Sequence, residues 1–122
     1  MNPCFRPPLP VKPGLFRFPE LPDNEFYATL TPEQAAERIF KACGDYDWDE
    51  AQKFFMAPLD ERIKQWLGGL EVVSIGESFT SAAYPGVFVH YELNLADGEN
   101  RKHNLALKKD EDTGRWFIDG GI

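Results

Sequence analysis

From Gly86 to Asp119 the chain reads GVFVHYELNLADGENRKHNLALKKDEDTGRWFID, an alternation of apolar and polar residues interrupted twice by turn chemistry. The interruptions are Asp97-Gly98-Glu99-Asn100 and Asp110-Glu111-Asp112-Thr113-Gly114. Period-two patterning broken by such clusters predicts three antiparallel strands of a meander. In the first, Val87 to Ala96, the residues Val87, Val89, Tyr91, Leu93 and Leu95 share the core side, and Phe88, His90, Glu92 and Asn94 face away. His103, Leu105 and Leu107 continue the core side in the next strand if the hairpin keeps register. In the last strand Trp116 and Ile118 oppose Phe117 and Asp119. A half-buried sheet of this kind needs a cover, and the preceding residues supply it.

Thr31-Pro32-Glu33-Gln34 carries a cap, a proline at the first helical position and a residue able to close a capping box. A helix from there to about Cys43, stopped by Gly44, aligns Ala35, Ala36, Ile39, Phe40 and Cys43 on one side. Asp47 and Glu50 start a second helix, Trp48 to Met56, broken by Pro58. A third, Leu59 to Leu67, ends at Gly68-Gly69. Leu70 to Phe79 is the first strand, with Val73, Ile75 and Phe79 on one side and Val72 on the other, and Tyr84-Pro85-Gly86 is the turn that follows. The fold class expected is α+β, with three N-terminal helices packed on a curved, antiparallel, four-stranded sheet.

Residues 1–30 hold seven of the ten prolines and form a Pro-rich extended tail or strap without a helix, ahead of a domain spanning 31–122. Phe5, Leu15, Phe16, Phe18, Leu21, Phe26 and Tyr27 favour a strap lying on the domain. A proline-motif ligand for a partner is the alternative. Cys4 and Cys43 are too few for a disulfide framework, although one bridge between them stays open.

Thirteen Lys and Arg against twenty Asp and Glu leave a net charge of −7, which repels polyphosphate, so no nucleic-acid partner is expected. The basic cluster Arg101-Lys102-His103 with Lys108-Lys109 reads as a solvated strand face. No apolar run approaches the roughly eighteen residues of a membrane span. The expectation is a soluble protein, cytoplasmic by default and exported if a leader has been removed from its N-terminus.

The capped helix pair, the strand opening Leu70-Glu71-Val72-Val73-Ser74-Ile75, the long aromatic strand, the Asp97-Gly98 hairpin and the terminal Gly114-Arg115-Trp116-Phe117-Ile118-Asp119 together resemble the NTF2-like (cystatin-like, SnoaL-like) superfamily. The similarity covers about Thr31 to Ile122 and is greatest to small bacterial members of unassigned function. It implies a sheet curved round a conical cavity and pairing of two copies through the sheet. Some similar proteins are isomerases, dehydratases or epoxide hydrolases, and many are accessory domains without known chemistry.

Enzymes on such a fold need an acid or base aimed into the cavity and a group to steady the developing oxyanion. Tyr91 and His103 lie on the core side and are the candidate pair, with Asp119, at the end of the last strand, as a further candidate base. Asp119 precedes Gly120-Gly121-Ile122 and also reads as a turn or frayed end. Tyr46 and Asp47 rim the open end. A ligand in the cone would meet Tyr46, Phe55, Trp66, Tyr91, His103 and Trp116. His90 and Glu92 share the other face but fall short of a metal site, and Asp45 to Glu50 lacks calcium-loop spacing. No phosphate loop, HExxH or GxSxG occurs, so neither metal nor cofactor is expected. Against a substrate, Phe40, Phe54, Phe55, Trp66, Phe79, Tyr91 and Trp116 are large enough to fill the cone. The expected function is therefore a non-catalytic NTF2-like domain binding a protein partner or a small ligand. The alternative is a small enzyme or carrier of the ketosteroid-isomerase or SnoaL kind, using an apolar pocket with His103 and Tyr91.

Overall fold

The computed structural model of the protein describes residues 24–122. The readings of the Pro-rich stretch that fall on residues 1–23, including Cys4, lie outside the described residues. The elements run α1 (Asn24–Ala28), α2 (Pro32–Gly44), α3 (Trp48–Gln52), α4 (Glu61–Leu67), β1 (Glu71–Ser81), β2 (Tyr84–Asn94), β3 (Asn100–Lys109) and β4 (Trp116–Gly120). The fold is α+β, with four helices and an open antiparallel sheet of order β1-β2-β3-β4.

The expectation that no helix forms before Thr31 is corrected by α1. Its five residues follow the last proline of the N-terminal run, so nothing in them removes a donor or fixes φ. The turn is anchored by Tyr27, which is buried, stacks edge-on against Phe54 at 5.6 Å and donates its hydroxyl to Glu50 at 2.7 Å.

Thr31 caps α2 as its sequence predicts, accepting from the Gln34 amide at 3.1 Å while the Gln34 side chain accepts from the Thr31 amide at 2.9 Å. Ala35, Ala36, Ile39, Phe40, Ala42 and Cys43 form its buried side. Burial pushes the Cys43 thiol up to about 12. The helix continues through Gly44 and is closed instead by Tyr46, at φ 60°, with the Asp47 amide returning to the Ala42 carbonyl at 2.8 Å.

Both later helices are shorter than the expected Trp48–Met56 and Leu59–Leu67. After Gln52 the chain leaves the helix because the Gln52 amide group bonds the loop itself, donating to the Ala57 carbonyl at 2.9 Å and accepting from the Leu59 amide at 2.8 Å. Asp60 caps α4 by accepting from the Ile63 amide at 2.9 Å, so the helix begins at Glu61 and Leu59 stays outside it. Asp60→Ala is expected to cost about 1 kcal/mol, read as a lower urea midpoint with an unchanged slope. An unchanged midpoint would show that the cap is not needed.

In the sheet, β2 and β3 pair in unbroken register from Val87↔Leu107 to Asn94↔Asn100. Val89, Tyr91, Leu93, Leu105 and Leu107 accordingly sit together in the core, beneath α2, which packs on β1 and β2. β1 departs from its expected alternation. Register shifts between Val72 and Ser74 and between Ile75 and Ser78 place Val72 and Ile75 opposite the inward Leu93 and Tyr91, and Phe79 opposite the outward Phe88. Each bulge adds a residue and so reverses the facing of everything beyond it. The turn is Ala82–Ala83, and Tyr84-Pro85-Gly86 belongs to β2.

The chain beyond β4 is docked, which corrects the frayed end expected after Asp119. The Gly121 carbonyl accepts from the Tyr91 hydroxyl at 2.5 Å, and Ile122 packs on the core. Gly121 has φ 87°, and a methyl there would overlap the Asn104 carbonyl.

Candidate functional site

Tyr91 is the polar group at the centre of the helix-covered face. It is fully buried, its ring lies 4.7 Å from that of Phe40, and burial raises its pKa although the Arg101 guanidinium works the other way. Its hydroxyl donates to Gly121 and accepts from Arg101 Nε at 3.1 Å. The guanidinium of Arg101 lies over the Trp66 ring, 5.1 Å from the centroid, so α4, β2, β3 and the C-terminal residues are joined through these contacts.

His103 was expected on the core side with Tyr91. The ladder does pair it with Tyr91, and their rings are 6.5 Å apart, but the imidazole is exposed. The helix layer rests on β1 and β2, and β4 pairs with β3 only from Ala106 onward, so His103 sits where neither reaches. The remaining candidates do not join this group. Tyr46 is 64% exposed and edge-on to Trp48, and Phe55 is half-buried in the loop after α3. The Trp116 indole donates to the Leu30 carbonyl at 2.7 Å, and its ring carries Lys109. Asp119 lies on the opposite face of the sheet, exposed, accepting from the Tyr84 hydroxyl at 2.8 Å.

Sequence reasoning passed over Arg101 by assigning it to a solvated cluster. The signal was there: it has the same parity as Leu105 and Leu107 and pairs with the inward Leu93. Phe79 was also misplaced, as an occupant of the cone. It stacks instead on Phe88 at 5.4 Å, and Phe88 on Tyr84 at 4.7 Å, forming a three-ring array on the outer face. Phe79 remains 44% exposed there. On the same face His90 Nδ1 shares a hydrogen bond with Asn104 Oδ1 at 3.0 Å.

A second polar cluster ties α1, α2 and α3. Arg38 pairs with Glu50 at 3.1 Å, and Lys53 reaches both Glu50 at 3.4 Å and the Tyr27 hydroxyl at 3.1 Å. Burial opposes ionisation of Glu50, but the Tyr27 hydroxyl, Arg38 and Lys53 outweigh it and hold the carboxyl below its usual range. The capping-box role expected of Glu50 is thus replaced by this tie. Because the folded value lies below the unfolded one of about 4.3, the cluster's contribution is complete above that pH and is lost as pH falls through the folded value. The urea midpoint of Glu50→Gln should therefore fall less steeply on acidification than that of the wild type. Parallel profiles would refute this.

Among the described residues no group of three His, Cys, Asp or Glu side chains is placed to hold a metal ion, and no helix is long and apolar enough to cross a membrane. No family model, curated protein or solved structure matches the chain.

Proposed function

We propose that the protein is a non-catalytic domain of the NTF2-like kind that binds another protein through the outer face of its sheet, a second copy being the occupant that needs no further component. The observation that carries this reading is the Tyr84–Phe88–Phe79 stack, a patch of rings on the face opposite the helices. The centres of protein interfaces are enriched in aromatic side chains, and a cluster of rings at a surface is suited to that role. Support comes also from the interior. Phe40, Tyr91, Leu93 and Leu105 fill the space between α2 and the sheet, and the candidate base His103 lies in solvent. A general base there would lack the apolar surroundings that tune it. The net charge of −7 argues against nucleic acid as the partner.

Sedimentation of the wild type and Phe79→Glu over a wide concentration range tests the reading. The wild type should pair reversibly, and the variant, with an equal melting temperature, should stay monomeric. A wild type that remains monomeric at roughly millimolar concentration, or a variant that pairs equally well, would defeat self-pairing through this face.

A further inference from the structure

Among the described residues, the non-glycine position with a left-handed backbone is Tyr46, at φ 60°, a conformation that penalises a bulky side chain and leaves glycine free. Its side chain nevertheless stays 64% exposed, so little burial offsets the strain. An outlier of this kind at a surface points to a use for the ring.

The ring is held in place. A Cβ at Gly69 would fall 2.6 Å from the Tyr46 hydroxyl oxygen, and one at Gly68 would lie 3.0 Å from Tyr46 Cε1 and 3.3 Å from Trp48 Cζ2, so both rings rest on this glycine pair. They meet edge-on, with centroids 6.5 Å apart and planes at 81°, and form an open corner where α2 passes into α3. Asp47 and Asp49 flank Trp48, both exposed, and neither makes an ion pair among the described residues. An aromatic corner beside unmatched acids suits a proline-rich segment that carries basic residues.

The chain itself contains such a segment, Arg6-Pro7-Pro8-Leu9-Pro10-Val11-Lys12-Pro13. Its prolines favour the polyproline conformation, which repeats about every three residues. Pro7, Pro10 and Pro13 then align on one edge, and Arg6, Leu9 and Lys12 on the next. Residues 14–23, which join it to Asn24, span up to about 35 Å when extended. Just beyond Asn24, Tyr27 donates to Glu50, two residues past Trp48, so the connection starts beside the element that carries the corner.

We propose that residues 6–13 dock in the Tyr46–Trp48 corner of their own chain, with the prolines against the rings and Arg6 and Lys12 toward Asp47 and Asp49. The corner belongs to the helix layer and is independent of the outer-face interface proposed above.

The test is paramagnetic relaxation in the full chain, with a nitroxide on Cys4. Cys43 stays unlabelled because it is fully buried and its thiol is pushed up to about 12. Signal loss is expected to centre on the Trp48 indole N–H and on the amides of Tyr46, Gly68 and Gly69, and to diminish with salt. In a mixture of spin-labelled chains without isotope and isotope-enriched chains without the label, it should vanish. Reversing both charges, Arg6→Glu with Lys12→Glu, should cut the loss at least roughly threefold. Tyr46→Gly removes the ring and suits the backbone at that φ, and it should abolish the loss. Losses centred elsewhere or absent, equal losses in the mixture, or losses that survive Tyr46→Gly or the charge reversal would overturn the proposal. Should Tyr46→Gly not fold, the charge reversal, which leaves residues 24–122 intact, decides. Sedimentation reads the outer face and the nitroxide reads the corner, so either proposal can fail alone.

Discussion

Phe40→Ala is expected to lower the unfolding free energy by about 3–5 kcal/mol, the range for removing a buried aromatic ring. That is a large part of the roughly 5–15 kcal/mol that holds a domain folded, and for about a hundred residues it corresponds to a fall in Tm of roughly 15–30 °C. The size follows from position. Phe40 is fully buried on α2 and meets Tyr91 across the gap to the sheet, so its loss leaves a void between two layers that neither can close alone. A void lined by apolar groups stays dry and accepts small apolar molecules. Benzene should therefore restore part of the lost stability in the variant and do nothing for the wild type. A loss below about 1 kcal/mol would mean that the helix–sheet interface is loose rather than filled, and would revive the reading of an open cone.

Gly86→Ala is expected to cost about 2–3 kcal/mol by forcing apart strands already in contact. A methyl at this position overlaps the Leu107 carbonyl oxygen and lies 2.8 Å from a Tyr84 ring carbon and 2.9 Å from Lys108 Cγ. The lysine stem can swing away, but the carbonyl belongs to the β2–β3 ladder and can retreat only by giving up a hydrogen bond. Gly120→Ala is the control, since a methyl there meets nothing within 4 Å. Urea unfolding of both variants checks the contrast, and equal losses would refute the steric account. Because the Tyr84 ring rests against Gly86, the same change should disturb the outer aromatic stack and weaken pairing beyond what stability alone explains.

The elements legible in the sequence were those whose signals are local. Thr31 and Asp47 cap helices because a short side chain reaches its own backbone, and the parity of β2 follows from pleating alone. The Asp97-Gly98 turn fixed the β2–β3 register, which placed Leu105 and Leu107 correctly. β1 was misread because alternation alone does not register a bulge: the shift between Val72 and Ser74 brought Ile75 to the side of Val72, and the shift between Ile75 and Ser78 parted Phe79 from Ile75. Tyr84-Pro85-Gly86 looked like a turn, yet the chain bends at Ala82–Ala83, where side chains too small to pack carry no turn signature. For the site, parity put His103 on the correct side of the sheet but could not say how far the helix layer extends. Arg101 was missed for the opposite reason: its charge was weighed and its parity was not.

The outer edge of β1 is an eleven-residue strand, long enough to recruit a stray segment of another molecule. It is guarded in two ways. The Ser78 amide, which points away from β2, is already taken by the Glu33 carboxylate of α2 at 2.7 Å, so a newcomer finds that donor engaged and a negative charge beside it. The shifts on either side spoil the even spacing that a stacked fibril repeats. Rings can thus be displayed on the flat of the sheet while its β1 rim resists the addition of strands, a division that the proposed pairing through the outer face requires.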